Sequence, residues 1–287
     1  MNFTTLLFVP GDSEKKQAKC AAVGADITIL DLEDSVALAR KQEARQISAT
    51  ALRDVLPQDI QCFVRVNALD TEMTRDDLAA ILPAAPDGII LPKCNGPEDV
   101  QALANMMAGL EVPERAGKTS IIAIVTETAQ GVLSLARGDA WAHPRLVGMM
   151  WGAEDLAADI GAARNFENGT YTEPFRLARN LCLLAARAAG VTPIDTVYAD
   201  FRDLEGLKGQ TETALRDGFD AKAAIHPAQV DVIAQAFQPD EQSIVWARAV
   251  EAAFADASAG VASLDGKMLD MPHLRTARKI LSRAPKG

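Results

Sequence analysis

Eight short apolar segments alternate with segments of helical pattern, and this alternation constrains the fold more than any other feature of the sequence. The eight predicted strands are Thr4–Pro10, Ile27–Leu32, Cys62–Asn67, Asp87–Lys93, Ser120–Glu127, Arg145–Gly152, Thr192–Tyr198 and Ala221–Pro227. Most are continuous apolar runs, which is typical of strands buried on both faces of a parallel sheet. Eight strand–helix units with short connections favour a (β/α)8 barrel over an open doubly wound sheet.

Two of the intervening segments show a clear helical period. In 34–56 one face carries Ala44, Ile47 and Ala51, and in 171–189 one face carries Leu177, Leu181, Leu184 and Ala188. Apolar residues that recur every three to four positions are typical of amphipathic helices. Asp12–Glu14 and Gly96–Asp99 are further predicted helix starts.

The chain continues well beyond the eighth predicted strand. Helical patterns are predicted for Pro227–Phe237, Pro239–Ala257 and Met271–Arg283, with a polar, glycine-bearing stretch up to Gly266. One barrel helix does not require so long a tail. We therefore expect a barrel domain over residues 1–237 and a C-terminal helical extension over 238–287, which serves as a lid or an oligomer arm.

Composition narrows the class of function. The net charge of −10 disfavours binding to nucleic acid or to a membrane surface. The four cysteines, Cys20, Cys62, Cys94 and Cys182, form no CxxC pair. With no apparent secretory signal, they predict reduced thiols in a cytoplasmic protein. No segment has the roughly 18 apolar residues that a transmembrane helix needs.

Two carboxylates follow predicted strands in matching positions. Glu127 closes the apolar run Ile121–Val125, and Asp155 follows the run Leu146–Gly152. Side chains at the carboxyl ends of parallel strands line the active-site mouth of a barrel. Two such acids suit Mg2+, which proteins usually hold with one or two carboxylates plus substrate oxygens and water. The alternative is that both acids cap helices, Glu127 ahead of a helix at Gln130 and Asp155 in the first turn of another.

A third strand end carries an arginine. Arg65 interrupts an apolar strand pattern, and a charged side chain in that setting is seldom buried unless it is paired. Its expected partners are Glu33 or Asp34, and its guanidinium is suited to bind a carboxylate or to stabilise negative charge on an oxygen. Asp31, Glu33 and Asp34 end the second predicted strand, and we expect two or more of these acids to orient Arg65, to hold water or to cap the next helix, with Glu33 acting in catalysis. Lys93 is predicted to face the same mouth as a substrate contact or an ion-pair partner.

Other chemistry has weaker support. His226, at the end of the eighth predicted strand, is either a substrate contact or a hydrogen-bonded structural residue. No Ser–His–Asp order, zinc-ligand spacing, P-loop or GxGxxG pattern stands out. Nucleophile triads and nucleotide-binding folds are therefore disfavoured.

An ordered set of motifs covers nearly the whole chain. These motifs are Leu6–Asp12, Asp31–Val36, Arg65–Asn67, Ile89–Lys93, Glu127–Gly131, Trp151–Leu156, Gly218–Lys222, Ala224–Pro227 and Gly266–Pro272. On these motifs the chain resembles the CitE-like branch of the HpcH/HpaI aldolase and citrate lyase β-subunit superfamily. Each motif is weak by itself, and their order along the chain is a specific signal.

The resemblance implies a TIM barrel that binds Mg2+ at Glu127 and Asp155, with Arg65 contacting the substrate. It implies cleavage or formation of the C–C bond of a β-hydroxyacyl-CoA thioester, such as malyl-, citramalyl- or citryl-thioesters. It also implies trimers or hexamers in which Asp270 reaches the active site of a neighbouring subunit. The sequence alone predicts for Asp270 only the N-cap of a helix that begins at Met271.

Further contacts follow from this chemistry. Backbone N–H groups around Ala153 and Glu154 are predicted to bind the carboxylate of a 2-oxoacid. Lys16 is the predicted contact for CoA phosphates, with Arg40 and Lys41 as further candidates, and all three are equally compatible with a solvated helix surface.

Several rival functions remain open at this point. The first is a malyl-CoA thioesterase that uses the same metal, and the second is a citrate lyase β chain acting on a thioester carried by an acyl carrier protein. A free-standing pyruvate aldolase is disfavoured by the long tail with Asp270. The Lys-Lys-Cys-Gly-His signature of phosphoenolpyruvate mutase and isocitrate lyase barrels is absent from the sequence. A scaffold without chemistry is disfavoured by the joint presence of Arg65, Glu127, Asp155 and Asp270.

Overall fold

A closed barrel of eight parallel strands forms the centre of the computed structural model, which describes residues 3–57, 60–255 and 260–284. The barrel strands are β1 (Thr5–Pro10), β2 (Ile27–Asp31), β3 (Gln61–Arg65), β4 (Gly88–Leu91), β5 (Ser120–Ile124), β6 (Leu146–Met150), β9 (Thr192–Asp195) and β10 (Ala221–Ala224). Around the ring they follow the order β1-β10-β9-β6-β5-β4-β3-β2. All eight predicted strands are present, which confirms the (β/α)8 barrel.

Helices follow the strands along the chain. They are α1 (Glu14–Cys20), α2 (Lys41–Thr50), α3 (Met73–Ile81), α4 (Pro97–Met107), α5 (Ala129–Ser134), α6 (Glu154–Asp159), α7 (Glu173–Ala188), α8 (Leu204–Asp217) and α9 (Pro227–Ala236). Between α6 and α7 lies a small antiparallel hairpin, β7 (Phe166–Glu167) and β8 (Thr170–Tyr171), which the sequence pattern did not predict. No described helix is long and apolar enough to cross a membrane.

The barrel interior is apolar. Inward-facing side chains of successive strands form one buried cluster that includes Leu6, Ile29, Phe63, Ile122 and Ile194. In a parallel barrel the inward positions alternate with positions that face the helices, so both faces of each strand are buried. This explains why the strands appear in the sequence as continuous apolar runs.

The apolar face of α7 identified from the sequence is not the face that packs on the barrel. Leu177 and Leu184 are 57% and 65% exposed, and the buried face is formed by Phe175, Ala178, Cys182, Ala185 and Ala186. Small residues on that face let the helix lie close to the strands. Both stripes recur with the helical period, so periodicity alone selects neither. The face predicted for 34–56 is correct, since Ala44 in α2 and Ala51, directly after α2, are both buried.

A buried charge network lies among the strands and helices of the barrel. The ammonium of Lys222 is fully buried and donates to Asp195 Oδ2 at 2.6 Å, to the Thr196 carbonyl at 2.8 Å and to Gln210 Oε1 at 2.9 Å. The indole N–H of Trp151 donates to the other oxygen of Asp195 at 2.6 Å. Burial favours the neutral acid, but Lys222 and Arg179 outweigh it and lower the pKa of Asp195. The charges are therefore paired and hydrogen-bonded, as buried charges require.

The chain divides into two compact units, Met1–Ile233 and Ala234–Gly287. The second unit contains α10 (Glu241–Ala255), the hairpin β11 (Val261–Leu264) and β12 (Lys267–Asp270), and α11 (Met271–Arg283). The hairpin turns at Asp265 and Gly266, both with positive φ, at the end of the polar, glycine-bearing stretch. The final helix begins and ends where the sequence predicts, with Asp270 at its N-cap. The end of the predicted helix 239–257 lies outside the described residues.

Candidate active site

A cavity of about 260 Å³ opens at the carboxyl ends of the barrel strands, within the first unit. Its polar lining includes Asp31, Arg65, Glu127 and Asp155, and its apolar lining includes Phe8 and Met150. The acids and the arginine that the sequence singled out at three separate strand ends are thus brought together in one cavity. This arrangement agrees with the position of active sites in parallel barrels.

Glu127 is buried in the wall of this cavity. It is 4% exposed, and its Oε2 accepts a hydrogen bond from the backbone N–H of Lys93 at 2.5 Å. The pKa of Glu127 is raised to about 8, chiefly by burial, and the nearby carboxylates of Glu33 and Asp155 contribute to this rise against the opposing effects of the Lys93 hydrogen bond and of Arg65. The ionised form of Glu127 is therefore disfavoured chiefly because the carboxyl is withdrawn from water.

Neither acid occupies the N-cap position of a helix. The N-cap of α5 is Thr128, whose side chain accepts a hydrogen bond from the N–H of Gly131 at 2.9 Å. Asp155 lies in the first turn of α6, whose N-cap is Ala153. The capping alternative thus fails for Glu127, whereas Asp155 lies in the first turn of α6, where that alternative placed it.

The donor set fits Mg2+. Within 3–57, 60–255 and 260–284, no group of three or more His, Cys, Asp or Glu side chains is arranged to hold a metal ion. Two carboxylates that share one cavity are nonetheless what Mg2+ requires, since water and substrate oxygens supply its other ligands. The pKa of Glu127 is raised in the protein without metal, and a cation bound beside this carboxyl would favour its ionised form.

Arg65 is held by two acids from the end of β2. Its Nε and Nη2 donate to the two oxygens of Asp31 at 2.7 and 2.8 Å, a bidentate pair. Its Nη1 lies 3.0 Å from Glu33 Oε2, an ion-pair contact without hydrogen-bond alignment. The expected partner Glu33 is confirmed, whereas Asp31 takes the place proposed for Asp34, because Asp31 and Arg65 lie opposite each other in the β2–β3 ladder.

The electrostatics keep Arg65 charged. Burial alone lowers the pKa of Arg65, but Asp31 and Glu33 raise it above its ordinary value. The guanidinium also lies over the ring of Phe8, 4.9 Å from its centroid. Arg65 is therefore a fixed cation that faces the cavity.

Lys93 forms ion pairs, which is one of the two roles that the sequence predicts for it. Its ammonium lies 2.5 Å from Glu33 Oε1, 3.6 Å from Asp34 and 3.5 Å from Asp155. Its backbone has a φ of +48°, a left-handed conformation that is uncommon for a non-glycine residue. This conformation directs the N–H of Lys93 to Glu127 and its side chain to Glu33.

Of the other predicted site residues, some lie at the cavity and others lie away from it. Glu154 lines the cavity at its exposed side, and Ala153 is buried beside it. Glu33 lies behind Arg65, and burial raises its pKa although Arg65 and Lys93 oppose the shift. Lys16 is exposed on α1.

Two further candidates make local contacts. His226 stacks on Phe201 with ring centroids 4.9 Å apart, and its Nδ1 accepts a hydrogen bond from the N–H of Ala228 at 3.1 Å. Asp270 belongs to the second unit, where its carboxylate lies 2.5 Å from His273 Nδ1. The hydrogen bond from His273 lowers the pKa of Asp270.

Several lining residues escaped the sequence reasoning. Phe8, Ser35 and Val197 line the cavity, yet none of them carries a charge that interrupts an apolar run. Their only sequence signal is their position at or just after a predicted strand end. The outward-facing pair of Asp195 and Lys222 was also missed, although both residues are charges inside apolar strands and so carry the signal that identified Arg65.

Comparisons with known proteins identify the family of this chain. The family model of the HpcH/HpaI aldolase/citrate lyase family matches residues 4–227. A (3S)-malyl-CoA thioesterase of Cereibacter sphaeroides is 39% identical over 98% of this chain and 94% of that protein. Citrate lyase subunit beta of Escherichia coli is 37% identical over 98% of this chain and 92% of its own.

A solved structure covers the same length. The crystal structure of CitE from Mycobacterium tuberculosis, in complex with magnesium, acetoacetate and coenzyme A, matches with a TM-score of 0.83. It is 37% identical and covers 99% of both chains.

An eight-stranded parallel barrel with acids and an arginine at its carboxyl-end mouth defines an α/β-barrel enzyme. More specifically, the chain belongs to the HpcH/HpaI aldolase/citrate lyase family. The predicted family is thereby confirmed, and so is the prediction of an enzyme of the lyase class at the level of the family.

Proposed function

We propose that this protein is a Mg2+-dependent carbon–carbon lyase that cleaves, or forms, a β-hydroxyacyl-CoA such as citramalyl-CoA or malyl-CoA. The products of cleavage are acetyl-CoA and a 2-oxoacid. One observation carries the proposal: the cation of Arg65 and the carboxylates of Glu127 and Asp155 face a single small cavity.

The size of the cavity supports a small reacting group. About 260 Å³ accommodates a short hydroxyacyl chain, whereas a whole cofactor needs a pocket nearer the upper end of the usual ~300–1,000 Å³. CoA would therefore extend outside the cavity. The M. tuberculosis CitE complex with magnesium, acetoacetate and coenzyme A supports this class of ligand.

Glu127 and Asp155 would hold the metal. When bound, Mg2+ would polarise the carboxylate and hydroxyl oxygens of the substrate and lower the pKa of the hydroxyl. Glu127 must be deprotonated to bind it, and the cation itself would favour that state.

Arg65 would stabilise the negative charge that develops on the thioester oxygen as the C–C bond breaks. Asp31 uses two of the five N–H donors of the guanidinium and fixes its plane, so that donors remain for an oxygen in the cavity. Glu33 and Asp31 would act in catalysis by keeping this cation in place, because both contact Arg65. A donor fixed in advance stabilises charge without reorganising during the reaction.

A proton must reach the carbon of the enolate. The substrate hydroxyl loses a proton as the C–C bond breaks, and Asp270, supplied by a neighbouring copy of the chain, or a water molecule would accept that proton and deliver it to the carbon. The proposal thus includes a homotrimer or hexamer. Backbone N–H groups at Ala153 and Glu154 would bind the 2-oxoacid carboxylate, Lys93 would contact the substrate, and Lys16 would contact CoA phosphates.

The protein is proposed to act in the cytoplasm. All four cysteines, Cys20, Cys62, Cys94 and Cys182, are buried and free, as expected for a reducing compartment.

A second candidate is a malyl-CoA thioesterase. The C. sphaeroides relative of that name is 39% identical over 98% of this chain, and the same cavity would let water attack the thioester. The E. coli relative favours a third form, a citrate lyase β chain that takes its thioester from an acyl carrier protein.

Product analysis separates these functions. Malyl-CoA and citramalyl-CoA are incubated in parallel with Mg2+, with an EDTA control, and the products are identified by mass spectrometry. Acetyl-CoA with glyoxylate or pyruvate, lost on chelation, is the expected result. Free CoA with the intact hydroxyacid would instead indicate the thioesterase, and turnover only of a carrier-protein thioester would indicate the β chain.

A further inference from the structure

We propose that Thr126 is a positioning residue that sets the separation of the two metal-binding carboxylates, an inference that rests on the Mg2+ site proposed above. Its hydroxyl ties the loop that carries Glu127 to the loop that carries Asp155.

The hydrogen bonds between Thr126 and Gly152 lie just beyond the end of the backbone ladder between β5 and β6. The last backbone hydrogen bond between the β5 and β6 chains runs from the N–H of Val125 to the carbonyl of Met150, at 2.9 Å. Beyond it the N–H of Gly152 donates to Thr126 Oγ1 at 2.9 Å, and the same hydroxyl donates to the Gly152 carbonyl at 3.2 Å. One side chain thus bonds both the donor and the acceptor of a single residue and continues the pairing past the sheet.

The link is adjacent to both ligands. Thr126 immediately precedes Glu127, and Gly152 precedes Asp155 by three positions. Thr126 is fully buried, and it is not among the residues that line the cavity. It therefore acts on the substrate and the metal only through its neighbours. Gly152 itself is half-buried and lines the cavity.

The two loops touch along the side chain of Glu127. A Cβ atom added to Gly152 would lie only 3.0 Å from the Cγ atom of Glu127, closer than ordinary van der Waals contact. The backbone of Gly152 thus lies close to the stem of the metal ligand, and a side chain at this position would require the stem of Glu127 to shift by a few tenths of an ångström.

A second hydrogen bond also connects the chain segments after β5 and β6, so removing the Thr126 hydroxyl should not separate the loops that carry Glu127 and Asp155. The carboxylate of Asp159, at the end of α6, accepts a hydrogen bond from the N–H of Ala129, at the start of α5, at 2.7 Å. A variant without the Thr126 hydroxyl should thus fold, while the spacing of Glu127 and Asp155 loosens. Groups that orient metal ligands typically contribute about 10- to 100-fold in metal affinity.

The test compares Mg2+ dissociation constants, measured by isothermal titration calorimetry without substrate. Thr126→Val keeps the shape and removes the hydroxyl, and it should weaken Mg2+ binding by about tenfold or more. Thr126→Ser retains the hydroxyl and should restore the wild-type affinity. Thr211→Val is the matched control, because Thr211 is equally buried and its hydroxyl donates to the Leu207 carbonyl within α8. That control should bind Mg2+ as the wild type does.

Gly152→Ala tests the link from its other side. The added methyl group would push the stem of Glu127 away, so this variant should also weaken Mg2+ binding, which matters if Thr126→Val does not fold. Wild-type affinity in folded Thr126→Val or in Gly152→Ala would overturn the inference, as would equal weakness in Thr126→Ser and Thr126→Val. If the wild-type protein binds no Mg2+, the proposed metal site itself is wrong. If the wild type and all variants bind Mg2+ equally well, the metal site stands and only the role of Thr126 is wrong.

Discussion

The buried carboxyl of Glu127 predicts that Mg2+ binding depends steeply on pH. Its pKa is raised to about 8, above its ordinary value, because it is buried beside two other carboxylates. Mg2+ binds the carboxylate and not the acid, so binding must release the proton. At pH 6, two units below this pKa, only about one molecule in a hundred has the ionised side chain, and Mg2+ binding should be about 100-fold weaker than at pH 9.

Stability without metal should show the opposite trend. A group with a raised pKa in the folded state favours folding below its unfolded pKa, and this contribution is lost as pH rises through the folded value. For Glu127 the loss falls between about pH 4.5 and pH 8 and amounts to a few kcal/mol. Added Mg2+ should therefore raise the melting temperature more at pH 8.5 than at pH 6.

The assay is calorimetric Mg2+ titration from pH 6 to 9, with thermal melts in parallel. Glu127→Gln should abolish the pH-dependent binding and, without metal at pH 9, should melt higher than the wild type. Glu114→Gln, at an exposed glutamate, is the control and should change neither. Mg2+ binding that is the same at pH 6 and 9, or that survives in Glu127→Gln, would refute the reasoning.

Three further predictions follow from named contacts. Arg65→Lys keeps the charge but loses the bidentate fork, and kcat should fall by roughly 10²- to 10³-fold with a small change in KM, measured by steady-state kinetics. Asp31→Asn leaves Arg65 without its carboxylate partner, so kcat should also fall, while an unchanged kcat would show that Arg65 needs no such support. Lys222→Met leaves Asp195 buried without its cation, and urea unfolding should give a loss of about 3–5 kcal/mol. An unfolding free energy within about 1 kcal/mol of the wild type would contradict the last prediction.

The fold was largely predictable because buried parallel strands have a distinctive pattern. All eight strands were predicted, most of them from continuous apolar runs separated by helical segments. Strand ends were less well predicted: β5 ends at Ile124 where the pattern extends to Glu127. Residues beyond the ladder are buried by the cavity wall, so their apolar character continues after their backbone pairing has stopped.

The faces of helices and the short hairpins were not predictable in the same way. In α7 two stripes share the helical period, and only the packing shows that small residues face the barrel while Leu177 and Leu184 do not. The hairpin formed by β7 and β8 has strands of two residues each, too short for any alternation to be recognised.

The site was predictable where charge interrupts an apolar pattern. Arg65 carries that signal, Glu127 and Asp155 follow apolar runs at strand ends, and the structure brings all three into one cavity. The choice of Asp31 as the partner of Arg65 depends on strand register, which a single sequence does not specify. The role proposed for Thr126 depends on its hydrogen bonds to Gly152, and these two residues are 26 positions apart in the chain.

The most direct test of the central claim is whether the bond at the carbinol carbon breaks. Citramalyl-CoA and malyl-CoA labelled with carbon-13 at the carbinol carbon are incubated with the protein and Mg2+, and carbon-13 NMR follows the label. The account predicts that the label becomes the carbonyl carbon of pyruvate or glyoxylate, and that this conversion is lost in Glu127→Gln. A label that remains a carbinol carbon while CoA is released would contradict it, because the thioester and not the C–C bond would then have been cleaved.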